Sequence, residues 1–187
     1  MVKVFDVSDY FIINAISVDD EQFCAHKLQS LCVYAQCFSI GYTEKPLFKD
    51  NIVLHKFDPL DGTPIIPALL KEYPFELDCL SKIDIKDKML KILRANYNTK
   101  DFVAEALKKK TEKFTKSQYI ILKTVWDRYG ILNNSWLHTQ VATDINIDDY
   151  DDGDVIPKEN IFDDFEGLLL LCMDNERDIT DDLNNYK

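Results

Sequence analysis

Apolar residues recur at three- and four-residue steps through much of this chain, the spacing that places side chains on one face of an α-helix. The pattern is clearest over residues 25–42. The members of this apolar face are Leu28, Leu31, Cys32, Ala35, Phe38 and Tyr42. The polar residues outside it are Lys27, Gln29, Ser30 and Gln36. Gly41 is expected to end the helix, before a short turn that leads to Leu47 and Phe48. The segment therefore predicts an amphipathic core helix with a tight exit.

Further helices are predicted where a capping residue precedes helical spacing. Their expected first or capping residues are Asp6, Asp84, Thr99, Thr115, Ser135 and Pro157. The first of these helices is expected over residues 7–16 and the one after Asp84 is expected to reach Tyr97. Thr115 and Gln118 form the pattern of a capping box, and Gly130 is expected to end the helix that they begin. Ser135 is expected to cap a shorter helix over residues 136–143.

A short extended segment is predicted near residues 53–57, where VLHKF precedes the turn-rich residues DPLDGTP. Pro67 is expected to open a helix through the apolar residues that follow it. The whole pattern predicts a mainly α fold, a single compact helical domain with at most a small β element. That domain is expected over residues 1–173, with an acidic, flexible C-terminal tail over residues 174–187.

Composition narrows the class of protein. A chain of 187 residues with 46% hydrophobic content is long enough to bury the core of one domain. The 5 cysteines are odd in number and have no C-x-x-C spacing, which fits a reducing compartment better than a disulfide scaffold. The chain has no signal-like N-terminus and no apolar run long enough to span a bilayer. We therefore expect a soluble, cytoplasmic protein with no membrane partner.

The formal net charge of −11 is concentrated in the last quarter of the chain, because 15 acidic and only 3 basic residues fall within residues 144–187. The remainder of the chain is close to neutral. Its basic residues cluster at Lys108, Lys109, Lys110, Lys113, Lys116 and Lys123. A nucleic acid would bind there if anywhere, since phosphate contacts need such cations. A solvated helical face is the favoured interpretation, so a nucleic-acid partner is not expected.

Metal and catalytic motifs are weak. Cys24 and His26 with the distant His55 lack the paired ligand spacing of a structural zinc site. Five residues match positions of an EF-hand calcium loop, namely Asp148, Asp152, Gly153, Val155 and Glu159. Tyr150 occupies a ligand position of that loop and Pro157 interrupts its end, so calcium binding is not favoured. No phosphate-binding glycine loop or nucleophile motif is present. We assign no catalytic residue, no metal and no cofactor, and expect no enzymatic activity.

The segment around Gly130 also has the pattern of a helix-turn-helix, in which the second helix enters the DNA major groove. That second helix would present Trp136, Leu137, His138 and Gln140, but it contains no lysine or arginine. Core packing is therefore the favoured interpretation. A nucleic-acid-binding regulator of the helix-turn-helix type is the alternative function.

Four blocks of sequence carry a family resemblance: DVSDYFI at 6–12, KLQSLCVYAQCFSI at 27–40, KPLF at 45–48 and VIPKENIFDDF at 155–165. In this order they resemble the Panacea domain family, the SocA-like family of phage-associated and antitoxin proteins. Arg128, Tyr129 and Gly130 resemble the family's Y-G helix end. The family's W-x-Y-G-P-V element stands here as HKFDPL at 55–60, which lacks both the tryptophan and the glycine.

The resemblance implies an antitoxin-like or phage-associated interaction protein that binds and neutralises a protein partner, a toxin encoded nearby. For one branch of the family, the resemblance also implies an adaptor that delivers the toxin to an ATP-dependent protease. Such a protein needs apolar anchors within a polar rim and no catalytic groups. The expected partner-binding residues, which lie in or beside the family-like blocks, are Tyr34, Gln36, His55, Phe57, Pro59 and Trp136.

Overall fold

The computed structural model describes residues 1–58, 61–75, 85–97 and 101–161. Within these residues the elements are α1 (Val4–Ser17), α2 (Ala25–Thr43), β1 (Val53–Asp58), β2 (Asp61–Ile65), α3 (Pro67–Glu72), α4 (Ile85–Asn96), α5 (Phe102–Thr111), α6 (Lys116–Tyr129), α7 (Asn134–Asp144) and a 3-10 turn (Ile147–Asp149). Residues 158–161 begin another helix directly after Pro157. The prediction of a mainly α fold with a small β element is confirmed. The predicted boundary at residue 173 and the tail lie outside the described residues.

α2 is the central helix of the fold and is buried on all its sides. Every residue from Ala25 to Ile40 is buried, and α2 is in contact with α1, α3, α6, α7 and β2. The expectation of an amphipathic helix was therefore wrong, because neighbouring elements also enclose the side that carries its polar residues. A helix enclosed on every side is the arrangement expected of a core helix in a larger domain.

The polar side chains of α2 have partners inside the protein, which is what makes their burial tolerable. Lys27 Nζ lies 2.8 Å from Asp20 Oδ2, and the lysine side chain is only 2% exposed. Gln29 forms a double hydrogen bond with one backbone residue. Its Oε1 accepts from the amide of Ile66 at 3.0 Å, and its Nε2 donates to the carbonyl of Ile66 at 3.3 Å.

The end of α2 differs from the expected one. The helix continues through Gly41 to Thr43 and ends at Glu44, which adopts the left-handed region with φ of 55°. Gly41 as a helix stop was therefore wrong. The exit is fixed by a hydrogen bond that spans Gly41, since Ser39 Oγ donates to the carbonyl of Lys45 at 2.8 Å.

Helix caps explain the other differences from the predicted elements. α1 begins at Val4, so Asp6 lies in its first turn and is not its cap. α5 is capped by Asp101, whose carboxylate accepts from the amide of Ala104, whereas Thr99 lies outside the described residues. α7 is capped by Asn133 and not by Ser135.

The capping box of Thr115 and Gln118 is confirmed. The expected end of α6 at Gly130 is also confirmed.

The small β element is a hairpin extended by a third segment. β1 and β2 are antiparallel, with Val53 opposite Ile65. On the other side of β1, Leu54 donates its amide to the carbonyl of Asp154 at 2.9 Å and accepts from the amide of Gly153 at 2.8 Å. A Cβ atom at Gly62 would lie 2.9 Å from Leu54 Cδ1 and 3.2 Å from Ile147 Cδ1. The absence of a side chain at position 62 therefore lets the 3-10 turn pack closely on the hairpin.

Candidate functional site

Of the six expected partner-binding residues, the four whose side chains the structure describes do not lie together on one surface. Tyr34 and Gln36 are buried in α2, and His55 is half-buried on β1. Trp136 lies on α7 with 49% of its surface exposed. Phe57 belongs to β1, but the structure does not describe its side chain, and Pro59 lies outside the described residues. Among the four side chains that are described, only Trp136 is largely exposed to a partner.

Gln36 holds the chain where it leaves α2. Its Oε1 accepts hydrogen bonds from the amides of Leu47 at 2.9 Å and Phe48 at 3.2 Å. Its Nε2 donates to the carbonyl of Phe48 at 3.2 Å. Through these three bonds, the side-chain amide of Gln36 pairs with residues 47–48 as the backbone of a neighbouring segment would. Gln36 therefore has a structural role in this fold and is not available to a partner.

Tyr34 connects α2 to the end of α7. Its hydroxyl donates to Asp144 Oδ2 at 2.7 Å, and its ring stacks on Tyr129 with centroids 4.1 Å apart and planes 4° apart. Burial raises the pKa of Tyr34 well above its usual value, and the charge of Asp144 raises that pKa further. Asp144 also accepts from Gln140 Nε2 at 2.6 Å. Tyr34 therefore serves as a neutral donor that positions the last turn of α7.

Two buried histidines meet between α2 and α7. The ring centroids of His26 and His138 are 4.2 Å apart, and the ring of His26 stacks on Phe75 at 4.7 Å. His138 Nε2 is hydrogen-bonded to Thr63 Oγ1. Burial, followed by the nearby His138, lowers the pKa of His26 to about 3. His26 is therefore neutral at physiological pH and contributes to the packing of the core.

The metal sites considered from the sequence are not assembled within the described residues, which contain no group of three or more suitable His, Cys, Asp or Glu side chains. Cys24 Sγ accepts from Asn134 Nδ2 at 3.3 Å. His55 Nδ1 lies 3.4 Å from Asp152 Oδ1, and the same oxygen accepts from the amide of Lys56 at 2.8 Å. That backbone hydrogen bond is the main reason why the pKa of Asp152 is lowered. Asp152 therefore binds the backbone of β1. In an EF-hand, the residue at this position would instead point into the loop and bind calcium.

The basic stretch of α5 and α6 is largely compensated by acidic side chains. Lys110 Nζ lies 3.1 Å from Asp6 Oδ1 and 2.7 Å from Asp9 Oδ2. Lys113 Nζ lies 2.8 Å from the same Asp6 oxygen. Lys109 and Lys123 also have acidic partners on their own helices, Glu105 and Asp127. Ion pairs with other described residues thus engage Lys109, Lys110, Lys113 and Lys123, which reduces the positive charge left for a nucleic acid.

The exposed side of α7 is the strongest candidate for a binding surface. We define the α7 surface as Ser135, Trp136, Thr139, Gln140, Ala142 and Thr143. It carries no charged side chain. An open cleft of about 280 Å³ lies at its C-terminal end, lined by Thr139, Ala142, Thr143, Asn146, Ile147 and Asp148. At its other end Trp136 is near in sequence to Ile131, which is 80% exposed. The surface thus combines an aromatic side chain with a cleft.

Sequence reasoning identified Trp136 but missed the cleft. The signal was present, because residues 139, 142, 143 and 146 follow helical spacing and are all small or polar. Such a stripe leaves room beside a helix. The stripe borders a cleft only because the 3-10 turn at Ile147 forms another side of it. That turn packs on Gly62, which is distant in the sequence.

Comparisons with protein-family models, with curated proteins and with solved structures found no match to this chain. Among the described residues, no helix is both long enough and apolar enough to cross a membrane. The resemblance to the Panacea domain family therefore remains a prediction from its four sequence blocks. The α7 surface is a candidate site on its own geometry.

Proposed function

We propose that this chain is an antitoxin-like interaction protein that uses the α7 surface to bind and neutralise a protein partner encoded nearby. The observation that carries the proposal is the exposure of Trp136, 49% of whose surface is open on the uncharged α7 surface. Tryptophan is strongly enriched among the residues that dominate binding energy at protein interfaces. Depletion of charge is typical of the centre of such interfaces.

The backbone position of Trp136 is fixed before any partner binds. Its backbone amide donates to the cap residue Asn133 at 2.8 Å, which places it in the first turn of α7. The opposite side of that helix is anchored in the core by Leu137, His138 and Val141. A backbone that is already ordered costs little conformational entropy on binding, and a tryptophan side chain has only two χ angles to restrict. The α7 surface therefore suits a protein partner.

The charge of this region favours a protein over a nucleic acid. α7 contains no lysine or arginine, and the lysines of the neighbouring basic stretch are largely paired with acidic residues. Affinity for DNA depends on neutralising phosphates with such cations. The helix-turn-helix regulator is therefore the weaker alternative, which rests on α6 and α7 following one another with Gly130 in the turn between them.

The test is co-expression of this chain with the product of each adjacent reading frame. We expect one of these products to arrest growth when expressed alone and to be tolerated with this chain, with a complex visible on size exclusion. Trp136→Ala should weaken that complex by roughly tenfold or more. Phe5→Ala is the matched control, since Phe5 is an aromatic residue on α1 with 42% exposure, and it should retain full protection.

Persistent toxicity without a complex for every adjacent product would contradict the proposal. Equal loss of protection by the Trp136 and Phe5 variants would also contradict it, provided that both variants unfold at the wild-type temperature. Delivery to a protease is tested in the same cells by the half-life of the partner. A shortened half-life supports an adaptor, and an unchanged half-life with protection supports inhibition by binding alone.

A further inference from the structure

The cleft at the end of α7 has the size for one side chain of a partner. Its volume of about 280 Å³ lies just below the range of roughly 300–1,000 Å³ typical of pockets for small molecules. Ala142 and Ile147 supply apolar atoms to its lining. Ile147 is held in place where the 3-10 turn packs on Gly62. The aliphatic part of a bound side chain can therefore contact apolar atoms within the cleft.

The polar atoms of the cleft mainly accept hydrogen bonds. Thr139 Oγ1 donates its proton to the carbonyl of Ser135 at 3.1 Å, and Thr143 Oγ1 donates to the carbonyl of Thr139 at 2.9 Å. With their protons used in this way, both hydroxyl oxygens offer lone pairs to a ligand. The carboxylate of Asp148 adds further acceptors. Asn146 adds an amide group with both an acceptor and donors, so acceptors predominate in the lining and favour a ligand that carries several donors.

The electrostatic field at the cleft is negative. The cleft lies where α7 ends, and the C-terminal end of a helix carries a partial negative charge. Asp144 is next in sequence to the lining residue Thr143, and its oxygens accept from two neutral donors, the hydroxyl of Tyr34 and the amide of Gln140. Within the described part of the chain, no ion pair involves Asp144 or Asp148. Residues 129–157 contain no lysine or arginine.

We propose that this cleft binds an arginine side chain of the protein partner, so that the partner presents a basic segment to the α7 surface. The guanidinium group is a planar cation with five donors and no acceptor, which matches an acceptor-lined, negative cleft. Its aliphatic stem matches Ala142 and Ile147. The statement that the arginine belongs to a protein partner rests on the proposed function. The preference of the cleft for a guanidinium group does not.

The experiment is an NMR titration of the full chain, labelled with ¹⁵N, with the blocked peptide acetyl-Gly-Gly-Arg-Gly-Gly-amide. We expect saturable shifts of the amides of Thr143, Asn146 and Ile147. The same peptide with citrulline in place of arginine is neutral and nearly isosteric, and should bind about tenfold more weakly. Asp148→Asn should weaken binding of the arginine peptide to a similar extent. Asp151→Asn is the control, since that carboxylate is 97% exposed and lies outside the cleft lining.

Three results would each overturn the proposal: no shift at millimolar arginine peptide, equal binding of the citrulline peptide, or unchanged binding by the Asp148 variant. The spectrum itself reports whether each variant is folded. This titration does not use the natural partner, so the two proposals fail separately. Peptide binding without any complex in co-expression would contradict the proposed function alone. A complex that needs Trp136, with no response to the arginine peptide, would contradict the cleft alone.

Discussion

The hydroxyl of Tyr34 donates a 2.7 Å hydrogen bond to Asp144 across a separation of 110 residues. It joins the middle of α2 to the C-terminal end of α7. Because the ring of Tyr34 also stacks on Tyr129 of α6, one buried side chain connects three helices. The α7 surface and its cleft are therefore supported from the core, and the position of the cleft depends on this hydrogen bond.

Alkaline pH should destabilise the fold through its buried tyrosines. Burial raises the pKa of Tyr34 and Tyr10, and it raises the pKa of Tyr73 to about 12, whereas all three ionise near 10 when unfolded. Above pH 10 the unfolded state thus binds fewer protons, and the free energy of unfolding falls by about 1.4 kcal/mol per pH unit for each. Below pH 10 this stability is fully present. Urea unfolding from pH 9 to 11.5 measures the slope.

Tyr34→Phe should make the unfolding free energy fall less steeply above pH 10, by about 1.4 kcal/mol per pH unit, which is the contribution of one tyrosine. At neutral pH the variant should also lose about 1–3 kcal/mol, because the substitution removes a hydrogen bond to a charged group. The comparison is made by urea unfolding of both proteins at each pH. A variant with the same slope as the wild type would contradict the assignment of the shifted pKa to Tyr34.

Gln36→Leu should destabilise the protein by at least about 2 kcal/mol, because it leaves three buried backbone groups of Leu47 and Phe48 without the partner they have in the wild type. The measurement is the free energy of unfolding in urea. Gln22→Leu is the control, since Gln22 is exposed, and its effect should remain within about 0.5 kcal/mol. Equal effects of the two substitutions would show that the exit of α2 is held in another way.

Acid should destabilise the fold through His26. In the unfolded chain this histidine takes up a proton near its usual pKa of 6.5, but the folded state, where its pKa is about 3, does not. Between these values the unfolded state binds one more proton, so the unfolding free energy falls by about 1.4 kcal/mol per unit decrease in pH. Above pH 6.5 this stability is fully present. Urea unfolding from pH 7.5 to 4.5 measures it.

The matched variant for this acid effect is His26→Phe, which keeps an aromatic ring beside Phe75 and has no proton to gain. Its unfolding free energy should depend less on pH over this range, by the contribution of one histidine. Gln22→Leu changes an exposed residue that does not titrate, leaves every histidine in place and should keep the wild-type slope. A His26 variant whose slope equals that of the wild type would exclude the buried histidine as the source of acid sensitivity.

Gly130→Ala should destabilise the protein although the backbone at Gly130 has the right-handed helical values of φ −61° and ψ −29°. Conformation alone would predict a gain of about 0.4–1 kcal/mol. However, a Cβ atom there would lie 2.6 Å from Trp126 O and 2.7 Å from Trp126 Cδ2. That ring packs against Phe11 and Phe23, so we expect a net loss of about 1–3 kcal/mol. A rise in melting temperature would contradict this prediction.

Local signals explain which elements were predictable from the sequence. The capping box at Thr115 and the end of α6 at Gly130 depend on residues within one helix, and both were predicted correctly. The burial of α2 was not predictable in this way. The partner of Gln29 is Ile66, 37 residues away, and periodicity contains no information about such contacts. Polar residues on a helix therefore predict an exposed side unless their distant partners are known.

The candidate site was predictable to a similar extent. Trp136 was identified from its place in the sequence, but its exposure follows from which side of α7 faces α2 and β2. His138, on the opposite side, was considered a candidate for a DNA-reading side chain, yet it is buried against Thr63, 75 residues away. The lining of the cleft comes from residues 139–148 and leaves a local pattern, but the packing of Ile147 on the distant Gly62 does not.

The two glutamines of α2 have a consequence for how this fold can vary. Gln36 holds the backbone at residues 47–48 and Gln29 holds it at residue 66. The hairpin between these points is therefore clamped to one helix at both ends. It is also bound along its length, since Leu54 pairs with residues 153–154 and Thr63 is hydrogen-bonded to His138 of α7. Its two strands are thus among the segments least free to change in length as the sequence diverges, because a change would shift α7 and residues 153–154 relative to α2.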